Sequence, residues 1–182
     1  MMNYFELYGI PVSFAVDEPA LRRIFYQNSK KYHPDFHTRA DAQQQAEMLE
    51  LATLNTKAFQ TLSDPDRRIR YVLELNGLLG DESKTPNLPQ AFLMEMMEIN
   101  EQLMEQELDF DPERQKSLEQ TLATLENELR AAIQPTLEQY TASSGTAADL
   151  EAVLDFFLKK RYLLRIQENL SRFAPRAGMA EW

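Results

Sequence analysis

Lys30-Lys31-Tyr32-His33-Pro34-Asp35 separates two amphipathic runs, one from Asp17 to Tyr32 and one from about Thr38 to Leu62. Pro34 lacks the N–H that a further helical turn would need, and it drives His33 toward an extended backbone. The two runs are therefore expected to form an antiparallel helical hairpin with His33-Pro34-Asp35 exposed at its tip. A rigid turn would then hold an imidazole and a carboxylate beside a basic helix. Taken alone, such a tripeptide is better read as a plain helix-terminating turn.

The faces of the two runs support the hairpin. At 100° per residue Leu21, Ile24, Phe25, Asn28 and Tyr32 fall on one arc, and Arg22, Arg23, Tyr26, Gln27, Lys30 and Lys31 on the other. Met48, Leu51, Ala52, Leu54, Ala58, Phe59 and Leu62 form the matching apolar stripe of the second run. Asn55 lies inside that stripe and, if buried, needs a hydrogen-bond partner. Helix starts are punctuated: Asp17 with Pro19, Asp64-Pro65 and Asp111-Pro112 each combine a cap with a first-turn proline. Thr38 with Asp41 and Thr146 with Asp149 have capping-box spacing. Alternating β-branched runs are few, so the chain is expected to be all-α.

A helix from Pro65 should stop at Asn76-Gly77. Residues 77–88, rich in Gly, Asp, Ser, Lys, Thr and Pro, read as a linker between an N-terminal domain (1–76) and a C-terminal one (89–182). Three further helices follow. The first, Pro89 to about Leu108, places Phe92, Met96, Ile99 and Leu103 on one arc. Leu93, Met97, Met104 and Leu108 form a second ridge about 100° away, with Met94 and Glu101 beside it. Two ridges can mean burial on both sides, or an adaptable methionine-rich contact surface. The next helix carries Leu118, Leu122, Leu125, Leu129 and Ala132 at spacings that suit an antiparallel bundle, and Pro135 is expected to kink or end it near Ile133. The last, Ala147 to Phe173, is too broadly apolar for a single face to be read, and the tail from Pro175 to Trp182 is expected to fray.

Composition limits the function classes. The 182 residues are 43% hydrophobic, enough for a packed core, and contain no cysteine, which excludes disulfides and thiolate metal sites. No apolar run is long enough to span a bilayer and no secretory or transit signal is evident, so a cytoplasmic protein is expected. Residues 1–76 carry a net charge of −1 and the remainder −9. That balance disfavours nucleic-acid binding, which needs a basic field, and implies different partners for the two parts. His33, Asp35 and His37 do not make a credible metal site, because ligand geometry cannot be carried across Pro34 and no further His or Cys completes the set. Glu98 and Glu101 are better read as a solvated acidic face than as an acid–base pair. There is no phosphate-binding glycine loop. Catalytic residues, cofactor and metal are all expected to be absent.

Three ordered signatures carry a resemblance. Asn3-Tyr4-Phe5-Glu6-Leu7-Tyr8-Gly9-Ile10 opens the chain, the basic run and His33-Pro34-Asp35 follow, and Asn55-x-x-Ala58-Phe59-x-x-Leu62-Ser63-Asp64-Pro65 precedes Arg67, Arg68 and Tyr71. This order resembles the J-domain of DnaJ-type co-chaperones. The resemblance implies docking on the ATPase of a DnaK-type chaperone through Arg22, Arg23, Tyr26, Gln27, Lys30, Lys31, His33, Pro34 and Asp35, with acceleration of ATP hydrolysis and no covalent chemistry in this chain. Many J-domains follow the tripeptide with Lys; Phe36 and His37 stand here instead.

A J-domain followed by a short linker and an acidic three-helix bundle is similar to the HscB-type co-chaperones of iron–sulfur cluster assembly. Ala91-Phe92-Leu93-Met94-Glu95-x-Met97-Glu98-x-x-Glu101 resembles that family's scaffold-binding segment, with Met97 where Leu is common, and Lys160-Arg161-Tyr162-Leu163 resembles its second element. The implied scaffold-binding residues are Leu93, Met94, Met97, Glu98, Glu101, Arg161 and Tyr162. Some family members carry an N-terminal zinc-binding cysteine cluster; this chain has no Cys, so no metal is implied. The resemblance thus implies stimulation of an HscA-type chaperone and delivery to it of an IscU-type scaffold, aiding cluster transfer. A general J-protein with an unrelated client, or a helical adaptor without a chaperone partner, are the alternatives.

Overall fold

Three aspartates start three helices of the N-terminal part. In a computed structural model that describes residues 2–37, 41–79 and 88–173, Asp17 accepts from the Ala20 amide (3.0 Å), Asp41 from Gln44 (2.8 Å) and Asp64 from Asp66 and Arg67 (2.9 and 3.0 Å). Each satisfies donors that a helix N-terminus otherwise leaves open. They precede α2 (Glu18–Lys31), α3 (Ala42–Leu62) and α4 (Pro65–Leu75). Ahead of them the short α1 (Tyr4–Tyr8) is closed by a reciprocal capping box between Asn3 and Glu6. The expected Thr38–Asp41 box involves a residue outside the described ones, and Asp41 itself caps α3.

α2 and α3 pack together with the expected faces. Leu21 and Tyr32 are buried, Phe25 stacks on Phe59 with ring centroids 4.4 Å apart, and Ala58 and Leu62 are fully enclosed. Asn55 is buried, and its amide nitrogen donates to the Phe25 carbonyl and Ser29 Oγ, both at 3.1 Å. Its backbone carbonyl accepts from the Tyr8 hydroxyl (3.2 Å), and burial, followed by Tyr32, holds that phenol above its ordinary pKa range. α1 is tied to α4: the Tyr71 hydroxyl accepts from the Tyr4 amide at 3.0 Å and the two rings stack at 4.5 Å. Arg68 is buried and donates to the carbonyls of Phe14 and Leu62, clasping the end of α3 to the α1–α2 connection. Burial lowers its pKa, and Glu18 and Asp64 oppose that shift. α4 ends as expected, with Asn76 as cap and Gly77 at φ 70, a left-handed conformation that glycine adopts without a Cβ clash.

The C-terminal helices are α5 (Gln90–Leu108), α6 (Pro112–Gln139) and α7 (Ala147–Ser171). They form an antiparallel bundle whose core holds Leu88, Phe92, Met96, Ile99, Leu103, Leu118, Leu122, Leu163, Ile166 and Leu170. α7, for which no face could be read, buries Val153, Phe156, Lys160, Leu163, Ile166 and Leu170. Lys160 hid the stripe: it fills a core position, with Nζ 3.8 Å from Glu126. A buried glutamine pair also closes the α5–α6 turn, Gln106 exchanging bonds with the backbone of Asp111 at 3.0 and 3.2 Å.

Pro135 neither ends α6 nor marks its last turn, and the helix continues to Gln139. An interior proline costs about 3 kcal/mol. Ala131, whose carbonyl loses its donor, is exposed to water, and the extension buries Leu137 and Tyr140, at about 1.5–3 kcal/mol for each large side chain. Burial therefore outweighs the lost bond.

By backbone proximity the chain divides into one unit of Met1–Gly80 with Thr136–Leu150 and another of Asp81–Pro135 with Glu151–Trp182. The α6–α7 turn thus groups with the N-terminal part. Within that unit Ser13 Oγ donates to the Tyr140 carbonyl (2.9 Å), the Ala142 amide donates to the Val12 carbonyl (2.9 Å), and the Phe14 and Tyr140 rings lie 4.8 Å apart. The Thr146–Asp149 capping box is present in both directions. A Cβ on Gly145 would overlap the Tyr140 ring. Gly145→Ala is therefore expected to displace that ring and cost about 1–3 kcal/mol, read as a lower midpoint in urea unfolding. A midpoint equal to wild type would show the ring free to move aside.

Seven α-helices and one short 3-10 turn make the described residues all-α. The assigned linker falls largely outside those residues (80–87), as does the tail from 174.

Candidate functional site

The tip of the α2–α3 hairpin is built by short-range bonds. After α2 the chain enters a 3-10 turn, Pro34–Phe36, with His33 as its cap at φ −65, ψ 131, the extended backbone that Pro34 imposes. The Asp35 amide donates to His33 Nδ1 (3.2 Å), which leaves Nε2 to carry the proton of the neutral ring. The Asp35 carboxylate is 3.7 Å from the same nitrogen. His37 then reaches back, its Nε2 2.7 Å from the Lys31 carbonyl, fastening the turn to the end of α2. All three residues of His33-Pro34-Asp35 are exposed.

Arg22, Arg23, Tyr26, Gln27, Lys30 and Lys31 are also exposed, and they continue the tip as one face of α2. Two aromatic rings stand among them: Tyr26 is 64% and Phe36 66% exposed. Phe36 meets His33 edge-on at 6.0 Å and, with Gln27, Lys30, Lys31 and His37, lines a shallow depression. In the sequence Phe36 stands out only as a departure from a pattern. Its exposure follows from its place at the end of a three-residue turn that has no room for a core.

A second surface lies on α5. The arc of Phe92, Met96, Ile99 and Leu103 is buried, whereas Leu93 is 39%, Met94 60% and Met97 62% exposed. Glu98 and Glu101 are exposed beside them. Of the two possibilities for this double ridge, the structure therefore has an exposed one. From α7, Tyr162 is half-buried: its hydroxyl accepts from Asn100 Nδ2 at 3.3 Å and its ring meets Phe92 edge-on at 6.0 Å. Asn100 stands about 20° around the helix from Leu93, so Tyr162 reaches the margin of the ridge. Arg161 is half-buried, with its guanidinium 5.6 Å from the Phe157 ring.

Comparison with known proteins supplies the family. The model of the HscB C-terminal oligomerisation domain matches residues 88–171. The co-chaperone protein HscB homolog of Vibrio cholerae is 34% identical over 172 residues, spanning 93% of this chain and 99% of its own. The chain belongs to the HscB co-chaperone family. The homolog from Aeromonas hydrophila is 33% identical over 175 residues, covering 94% of this chain and 96% of that one. Two solved HscB structures superpose on it, each at 28% identity. The chaperone HscB from Vibrio cholerae has a TM-score of 0.64, with coverage of 94% and 96%. The human co-chaperone HscB has a TM-score of 0.69, with coverage of 93% and 81%.

In this HscB family member the tripeptide tip lies on the N-terminal helical hairpin, and the α5 ridge lies within the segment matched by the C-terminal model. Among the described residues no helix is long and apolar enough to cross a membrane, and no group of three or more His, Asp or Glu side chains gathers as metal ligands would. The site residues thus fall on two surfaces of different chemistry, one basic with a rigid polar tip, the other apolar with an acidic margin.

Proposed function

We propose that the chain is a cytoplasmic, non-enzymatic co-chaperone that stimulates a DnaK/HscA-type ATPase and delivers an IscU-type iron–sulfur scaffold to it. The J-domain (1–76) would dock through Arg22, Arg23, Tyr26, Gln27, Lys30, Lys31, His33, Pro34 and Asp35. The scaffold would be held by Leu93, Met94, Met97, Glu98, Glu101, Arg161 and Tyr162 of the bundle (89–182). The observation that carries this reading is the pairing, in one HscB family chain, of an exposed His33-Pro34-Asp35 tip on a basic helix with an exposed methionine ridge on a separate acidic bundle.

Physically, the two surfaces suit two partners. A basic face steers association with an acidic surface and so acts mainly on the encounter rate. A flexible apolar ridge adapts its shape to a client. The deciding experiment measures chaperone ATPase with this chain alone, with scaffold alone and with both. Synergy supports the reading. Stimulation by the chain without synergy would make it a general J-protein with another client, and no stimulation would leave a helical adaptor.

Reversing Arg23 and Lys30 to Glu is expected to slow chaperone association by about tenfold at low salt and flatten its salt dependence. Stopped-flow association across a salt titration measures both, and unchanged kinetics would show the face to be only solvated.

A further inference from the structure

The exposed ridge of α5 does not stop at Glu101. Met104 is 65% and Leu108 87% exposed, as open as Met94 and Met97 or more so. At 100° per residue Leu93, Met104, Met97 and Leu108 fall within about 60° of one another. They form a continuous apolar strip of about 22 Å, at 1.5 Å per residue. Soluble surfaces carry isolated apolar side chains without consequence, but four aligned on one helix make a patch, and patches rimmed by polar residues mark interaction sites.

The rim restricts what can cover it. α5 carries Glu95, Glu98, Glu101, Glu105 and Glu107 and no Lys, Arg or His. All five are exposed, and of these Glu105 approaches Arg114, at 4.0 Å. A second copy laid ridge to ridge would oppose carboxylates to carboxylates, which costs several kcal/mol in specificity. A partner with an apolar stripe flanked by lysines or arginines meets no such opposition.

We infer that Met104 and Leu108 extend the client-binding surface by two helical turns, and that its occupant is a basic-rimmed apolar face of the scaffold protein. The inference rests on the function proposed above and adds two specificity-determining residues to it. Contact made along the whole strip, rather than over its N-terminal half, gives the client a fixed direction along α5. Flexible methionines at three of the six positions Leu93, Met94, Met97, Glu101, Met104 and Leu108 let the strip fit a client surface of irregular relief.

The test titrates an IscU-type scaffold onto the full chain and compares wild type, Met97→Ala, and the double variant Met104→Ser with Leu108→Ser, each also melted thermally. Both side chains of the double variant are exposed, so its melting point is expected to match wild type. Its affinity for scaffold should fall about tenfold, and that of Met97→Ala about thirtyfold. A Glu105→Gln variant should bind with a shallower salt dependence than wild type. Normal binding by the double variant, with weak binding by Met97→Ala, would end the surface at Glu101 and overturn the extension while keeping the proposed function. Absence of scaffold binding by wild type would overturn both. Concentration-dependent dimers of wild type in sedimentation, lost in the double variant, would assign the strip to a second copy and overturn the scaffold as its occupant.

Discussion

Asp35→Asn is expected to abolish stimulation of the chaperone ATPase and leave the fold intact. The two halves of that expectation have separate causes. The bond that shapes the tip uses the backbone amide of residue 35 as donor to His33 Nδ1, and asparagine keeps that amide. The carboxylate itself is 85% exposed and helps to hold no core group, so removing its charge should change stability by no more than about 0.5 kcal/mol, as at ordinary surface positions. What is lost is the negative charge beside an imidazole, at the end of a rigid turn next to exposed Lys30 and Lys31. A partner that reads that arrangement loses a charge-assisted contact, and such contacts are stronger than neutral ones. Single-turnover ATP hydrolysis with the variant, alongside a thermal melt, separates these effects. Stimulation equal to wild type would remove Asp35 from the docking surface; a lowered melting point would make its role structural.

The hairpin was legible because local rules fix it. Pro34 breaks the backbone, the period of Leu21 to Tyr32 selects the buried side, and the caps at Asp17 and Asp64 act within one turn. The same holds for Phe92, Met96, Ile99 and Leu103 on α5, whose spacing alone identifies the core arc. What could not be read depends on residues distant in sequence. Tyr140 packs on Phe14 and accepts from Ser13, 127 positions away, and nothing in the Thr136–Leu150 stretch itself announces a partner. The continuation of α6 past Pro135 was hidden for the same reason: the local penalty is real, but the burial of Leu137 and Tyr140 that offsets it is tertiary. Arg68, Gln106, Gln115 and Lys160 are buried polar residues. Their side chains look solvent-facing in any periodic reading and become core only once carbonyls or a carboxylate arrive to satisfy them. Of the two surfaces, the basic face followed from its period, whereas the exposure of the α5 ridge did not. A helix with two apolar arcs is consistent with burial on both sides until its neighbours are known.

That ambiguity makes α5 the place where the largest contrast between stability and binding is expected. Leu93, Met94 and Met97 are exposed, so alanine there leaves no cavity, and the melting point should stay within about 1–2 °C of wild type, since ordinary surface substitutions lie within about 0.5 kcal/mol. Scaffold affinity should fall instead, most at Met97, which is flanked along the strip by Leu93 on one side and by Glu101 and Met104 on the other. Residues at the centre of an interface, where water is excluded, can lose about 2 kcal/mol or more on truncation, which corresponds to about thirtyfold in Kd. Phe92 and Leu103 should behave in the opposite sense. Both lie in the bundle core, and alanine would remove buried carbon and leave a cavity, at a cost of about 2–5 kcal/mol. Phe92→Ala carries an added consequence, because its ring meets Tyr162 at 6.0 Å and lies 5.7 Å from Lys159 Nζ. Loss of that ring should loosen the α7 edge of the ridge, and weaken scaffold binding through disorder as well as lowering stability. Leu103→Ala, without such contacts, is the cleaner control. Paired melts and scaffold titrations of the five variants decide the matter: melting points that collapse at Leu93 and Met97 would make the ridge part of a core and remove the client surface altogether.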